Sequence, residues 1–164
     1  MIAHTRAGSN SLRETLTSEL ALSLDPREQS LLYGELEFQL HQAVLDYLVV
    51  QNGHGRIALE AQKKINDGWL AQGRPPVVAF GWDLERQLEL LELHVGAVRF
   101  SGRRALNPVE LHGLLQAVRS NSRSLRLRTY CQPDRVIAKH ITDGQALFDT
   151  LGVPTPRHAA MAGI

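Results

Sequence analysis

The sequence predicts a mainly α protein: a bundle of four or five helices in two sub-bundles, with at most two short strands in the C-terminal half. Three observations carry that prediction. Asp25-Pro26-Arg27-Glu28 and Asn107-Pro108-Val109-Glu110 each set a capping residue, a first-turn proline and the glutamate of a capping box in helix-opening order. Leucine and valine recur at spacings of three and four through most of the chain, the period of one helix face. Between the two blocks, "QGRPPVV" (72–78) is a stiff break, because its prolines withdraw backbone donors and force extended backbone.

Taken in order, residues 1–10 read as a disordered N-terminus. A helix can open at Ser11 with Glu14 as capping partner, but "TSELALSL" (17–24) also alternates as a strand would, and both remain open. From Asp25, Leu32, Leu36, Leu40, Val44, Tyr47 and Leu48 mark a long helix that Asn52-Gly53 stops. Ile57, Ala61, Ile65 and Trp69 share one face of the next, so residues 11–72 read as a helical-hairpin sub-bundle. Asp83 caps a third helix through Leu84, Leu88, Leu91 and Val95. Val98 would continue it, or "GAVRFSG" (96–102) turns into a short strand. The helix from Asn107 carries Leu111, Leu114, Leu115, Val118 and Leu125. It either runs to about Tyr130 or ends at "SNS" (120–122), leaving "LRLRTY" as a charge-blunted edge strand over 125–130. The last helix holds Val136, Ile137, His140, Ile141, Leu147, Phe148 and Leu151, and Gly152 and Pro154 stop it. Residues 77–152 thus form a second, basic sub-bundle, and 153–164 a flexible tail.

With 43% apolar residues and only 5% aromatic, the core must be built from Leu, Val, Ile and Ala. Cys131 is the single cysteine, which excludes an internal disulfide and suits a reducing compartment. No apolar run resembles a signal peptide or approaches the ~20 residues of a membrane span. The expectation is an intracellular protein, cytoplasmic or nuclear, with no membrane partner.

Charge is divided along the chain. Residues 1–95 hold 8 Lys+Arg against 13 Asp+Glu, a net of −5, and residues 96–164 hold 10 against 4, a net of +6. The basic half includes "RSNSRSLRLRTY" (119–130). On a continuous helix Arg119, Arg123 and Arg126 form one stripe at i, i+4, i+7, and like charges so placed repel one another unless they face anions. Arg103 and Arg104 precede that helix, Arg128 follows the stripe, and Arg135 and Lys139 lie four apart on the next helix. These eight residues are the candidate anion- or partner-binding surface. The anion can be an acidic protein, nucleic acid or the chain's own acidic half.

Leu-rich helices also predict self-association, most simply a homodimer, through Leu40, Val44, Tyr47, Leu84, Leu88 and Leu91. Residues 40–61, "LHQAVLDYLVVQNGHGRIALEA", resemble the lissencephaly-homology (LisH) motif. Leu40, Val44, Tyr47, Leu48, Gly53 and Ala58 match its apolar pair, Tyr-Leu, turn glycine and second-helix alanine. The turn is one residue longer than the motif's, His54 stands where an aromatic is usual, and Ala61 replaces Phe. Residues 37–64 are similar to the same degree to the helical segment that often follows this motif in ubiquitin-ligase scaffolds. The resemblance implies a dimerising helical hairpin.

Catalytic chemistry finds no pattern. His41, His54, His94, His112 and His140 lack metal-ligand spacing, and no metal or cofactor is expected. Cys131 near Arg128 and Arg135 is the lone nucleophile candidate. Gly53-His54-Gly55-Arg56 reads as a turn rather than a phosphate loop. Trp69 and Trp82 are expected to pack the two halves together, and His140 to sit satisfied in the core. The predicted function is a non-enzymatic regulatory or adaptor module, with phosphate-directed nucleic-acid binding as the alternative.

Overall fold

The computed structural model describes residues 24–127 and 132–154. The expectations for residues 1–23, Arg128, Cys131 and the tail beyond Pro154 lie outside them. Five helices form among the described residues: α1 (Pro26–Gly53), α2 (Leu59–Ala71), α3 (Leu84–Leu93), α4 (Pro108–Leu127) and α5 (Asp134–Leu151). No strand forms there, within the predicted limit of two. Residues 94–97 turn, through bonds from the N–H groups of Ala97 and Val98 to the His94 carbonyl.

The caps act as read. The Glu28 N–H donates to Asp25 Oδ1 at 2.9 Å, and the Asp25 N–H donates to Glu28 Oε2 at 2.8 Å, which satisfies two of the orphan donors at the start of α1. At α4 only half of the box forms: the Glu110 N–H donates to Asn107 Oδ1, but the Asn107 N–H donates to the Arg104 carbonyl and Glu110 accepts instead from the Asn107 side-chain amide. Gly152, at φ +69°, ends α5 in a left-handed turn, with the Val153 N–H reaching back to the Phe148 carbonyl.

Packing departs from the sequence reading. α2 packs on α3, not on α1, while α1 packs against α3, α4 and α5 together. The α1–α2 hairpin is therefore absent and the division at 72–77 does not separate two cores. One apolar cluster joins Leu36, Leu40, Val44 and Leu48 of α1 to Leu88 and Leu91 of α3, Leu115 and Val118 of α4, and Leu147 and Phe148 of α5. The physical reason is supply: α1 is the longest helix and buries ten of its residues, more than the two buried positions of α2 can cover.

Buried polar side chains tie the connections to this core. Gln29 donates to the Leu24 carbonyl and accepts the Gln132 N–H at 2.9 Å, holding the approach to α5 against the start of α1. Gln51 Oε1 accepts from the Arg99 N–H and from Arg56, and Tyr47 Oη donates to the Arg99 carbonyl at 2.5 Å. Burial pushes the Tyr47 hydroxyl well above the ordinary tyrosine range, so it stays a donor. His94 donates from Nδ1 to the Leu90 carbonyl and accepts at Nε2 from the Ala58 N–H, which joins α2 to the end of α3. Trp82, buried as expected, donates to Asn66 of α2 while its carbonyl meets His41 of α1. Trp69 is covered by the Arg74 guanidinium, 4.4 Å from the ring centroid.

His140 is buried against Tyr33, with ring centroids 5.4 Å apart, but its Nδ1 has no hydrogen-bond partner among the described residues. It is a core histidine without being a satisfied one. Desolvation holds it below its ordinary value of 6.5, reinforced by Lys139 and opposed by Asp143.

Two outcomes follow from this packing. Leu88→Ala, at a fully buried position facing α1, is expected to lower the unfolding free energy by about 2–5 kcal/mol, measured by chemical denaturation. For His140, the unfolded chain binds a proton more readily than the folded one. Its contribution is therefore complete above about pH 6.5 and declines as pH falls from there toward the lower folded-state value. Denaturation midpoints of the wild type should drop between about pH 7 and 5, and those of His140→Leu should drop less.

Candidate functional site

The arginine stripe forms on α4, which remains helical through "SNS". Ser122 Oγ donates to the Arg119 carbonyl, and Asn121 Nδ2 reaches Asp143 Oδ2 on α5 at 2.8 Å. The tertiary Asn121–Asp143 bond and the local Ser122 bond to its own helix offset the poor helix propensity of this stretch. Leu125–Leu127 are helical, so the edge-strand reading of 125–130 fails for its described part.

The stripe faces α3. Arg119 donates to Glu92 at 2.9 Å and lies 3.6 Å from Glu89. Arg123 places both Nε and Nη2 on Glu85 Oε1, at 3.1 and 2.8 Å. Arg126 reaches Asp83 at 3.2 Å and Glu85 at 3.6 Å. Asp83 also caps α3 through the Arg86 N–H and pairs with Arg74 at 2.6 Å, while Arg86 pairs with Glu89 at 2.5 Å. The outcome is a seam of alternating charge between two helices.

Of the eight predicted anion-binding residues, the structure brings Arg119, Arg123 and Arg126 together and pairs each with acids of α3, leaving Arg119 Nε buried without a partner among the described residues. The Arg119 side chain is 27% exposed, Arg126 42% and Arg123 62%. Lys139 likewise pairs with Asp143 at 2.5 Å on its own helix. Arg103 is exposed and Arg104 half-buried in the turn before α4, and Arg135 is exposed at the start of α5. None of the three makes an ion pair among the described residues. Arg103 and Arg104 precede α4 while the stripe occupies its C-terminal half, so at about 1.5 Å per residue the two groups stand more than about 15 Å apart along that axis. Arg103 and Arg104 therefore do not converge with the stripe.

The six predicted interface residues are corrected as well. Leu40, Val44, Tyr47, Leu84, Leu88 and Leu91 are all buried in the chain's own core, where α1 and α3 cover one another. The apolar residues left outside are different ones. On α1 they are Leu31, Phe38, Val49 and Val50; Leu31, Phe38 and Val49 line up in a row, with Leu45 half-buried between the last two.

Two sites escaped the sequence reading. Glu85, Glu89 and Glu92 repeat the i, i+4, i+7 spacing of the arginines, and that matched period between two helices was the available signal. The outward row of α1 repeats every seven residues, a signal masked by the stronger inward one.

A cavity of about 460 Å³ lies between the C-terminal half of α1 and the end of α5. Its buried polar groups, Tyr47 Oη and Gln51 Oε1, are already bonded to the Arg99 backbone. No group of three metal-ligating side chains occurs among the described residues, and no described helix is long and apolar enough to cross a membrane. Compared with protein-family models, curated proteins and solved structures, the chain matches none. The resemblance of residues 40–61 to the LisH motif gains nothing there, and the hairpin it implies does not form.

Charge reversal of the seam, Arg119→Glu with Arg123→Glu and Arg126→Glu, is expected to destabilise the fold by roughly 2 kcal/mol or more. Five partly exposed pairs are lost and like-charge contacts replace them, each worth at most about 1 kcal/mol. Thermal melts should show the loss shrinking as salt is raised.

Proposed function

We propose that the chain is a non-enzymatic helical interaction module that engages a protein, either a second copy or another chain, inside the cell. The observation that carries this reading is the apolar row on α1, which faces away from the helices that bury the rest of α1. Large apolar side chains aligned on one face mark contacts more often than scattered ones do. The polar groups best placed for chemistry support the same reading. His94, His41, Gln51 and Tyr47 hold the fold by bonding backbone, and none is paired as an acid with a base over a cavity.

In the nucleic-acid alternative Arg119, Arg123 and Arg126 would have to leave their acids on α3, while Arg103, Arg104 and Arg135, spread over two elements, make no ion pair among the described residues. Retention of labelled duplex DNA and single-stranded RNA, titrated from about 50 to 200 mM salt, separates the readings. A docking module should show little retention at any salt. Tight, salt-steep retention, lost when Arg103, Arg104 and Arg135 are changed to Ala, would replace protein docking with phosphate binding.

A further inference from the structure

The cavity of about 460 Å³ at the end of α5 has apolar walls and a set of idle donors. Tyr47, Val50, Leu151, Val153 and Pro154 supply most of the apolar surface. Gln51 is only 5% exposed, and its Oε1 accepts from two donors, the Arg99 N–H and Arg56 Nη1, which settles that the other end of the amide is Nε2. Gln51 Nε2 makes no hydrogen bond among the described residues, yet it is not sealed in protein. Arg99 gives the fold its backbone N–H and carbonyl alone, so its exposed side chain pairs with no acid among the described residues. Ser101 likewise uses its backbone N–H, on the Thr150 carbonyl, and leaves its hydroxyl free among them. That hydroxyl stands over Gly152, where an added Cβ would come within 2.9 Å of Oγ.

We infer that this cavity binds a small monocarboxylate with an apolar body. Gln51 Nε2, the Arg99 guanidinium and Ser101 Oγ donate to the carboxylate, and the hydrocarbon part lies along Tyr47, Val50, Leu151 and Val153. Three donors on one cavity call for an acceptor, because an amide N–H held in a buried side chain is costly to leave unpaired. The guanidinium adds a charge-assisted bond that a neutral acceptor would not gain. This site is additional to the docking proposed above and does not depend on it.

Charge and size narrow the ligand further. Arg99 is the single cation on the cavity wall, and Asp46 on the same wall opposes a second negative charge, so a monoanion fits and a phosphate dianion does not. The C-terminus of α5 does not repel it with bare carbonyls. Those of Phe148, Asp149 and Thr150 already accept from the N–H groups of Val153, Gly152 and Ser101. The volume lies within the range of about 300–1,000 Å³ typical of small-molecule sites. A ligand seated there touches α1, residues 99–101 and the end of α5 together, and so ties three separate parts of the chain.

The probe is sodium hexanoate, titrated to about 20 mM into the isotope-labelled full chain at matched ionic strength and followed by amide NMR. It should shift amides of residues 46–51, 99–102 and 150–153 along a saturating curve with a dissociation constant of about 0.1–10 mM. Hexanol, with the same chain and no charge, should bind at least about fivefold more weakly. Arg99→Ala should weaken hexanoate at least about fivefold, leave hexanol as it was and preserve far-UV circular dichroism, since that side chain holds nothing else; Arg99→Lys should recover part of the loss. Gln51→Glu keeps an acceptor for the Arg99 N–H and Arg56 but replaces the Nε2 donor with an anionic oxygen, and should abolish hexanoate binding. An absence of saturable shifts around the cavity, or shifts scattered over the surface, overturns the inference. So does hexanol binding as tightly as hexanoate, or hexanoate binding indifferent to Arg99→Ala or Gln51→Glu, any of which leaves an apolar cleft with no carboxylate seat.

Discussion

Everything in this fold depends on covering α1. Its 28 residues carry more apolar side chains than any other element, and Leu36, Leu40, Val44 and Leu48 cannot remain in water. At roughly 25 cal/mol per Å² of apolar surface, burial of each such leucine is worth about 2–3 kcal/mol, so a helix that left them open would not persist. α3, α4 and α5 each bring a leucine-rich face to the task. α2, with only Ile65 and Trp69 buried, attaches to the outside of α3 instead, where His94 accepts the Ala58 N–H and Asn66 accepts the Trp82 indole N–H. The buried glutamines follow from the same demand. Connections that run close over a packed helix must satisfy their backbone groups, and Gln29, Gln51 and Gln87 reach out from helices to do so.

The charge seam solves a second problem that covering α1 creates. Once α3 and α4 lie side by side over α1, their adjoining edges are close together. Four acids on one and three arginines on the other turn that proximity from repulsion into attraction. Such pairs are partly solvated and individually weak, so they act less as a source of stability than as a register mark. Arg119 matches Glu92 and Arg126 matches Asp83 only if the two helices run antiparallel at this offset.

Local features were legible in the sequence and pairings were not. The capping box at Asp25, the side-chain cap at Asn107, the stop at Gly152 and the inward leucines of α1, α4 and α5 depend on residues within one or two turns, so spacing reveals them. Which helix lies beside which is decided by competition for the face of α1, and neighbouring sequence misled there: α2 follows α1 directly yet packs elsewhere. The persistence of α4 through "SNS" was hidden for a like reason, since Asn121 is held by Asp143 on another helix. The arginines showed their stripe in sequence and concealed their function, because the acids that meet them lie on a helix read separately. A conspicuous charge pattern on one helix is worth comparing with the period of every other helix before an outside ligand is invoked.

The span between Gln29 and Gln132, partners 103 residues apart, has a consequence for biosynthesis. While α1 leaves the ribosome, two of the three helices that will shelter it do not yet exist. At synthesis rates of about 5–20 residues per second, its leucines stay uncovered for several seconds or longer until residues 134–151 have emerged. Nothing closer in sequence can substitute, as α2 is polar on most of its surface and packs on α3. The nascent chain therefore passes through an obligatory adhesive stage, and its yield in a cell should depend on holdase chaperones that bind the first half before the second is made.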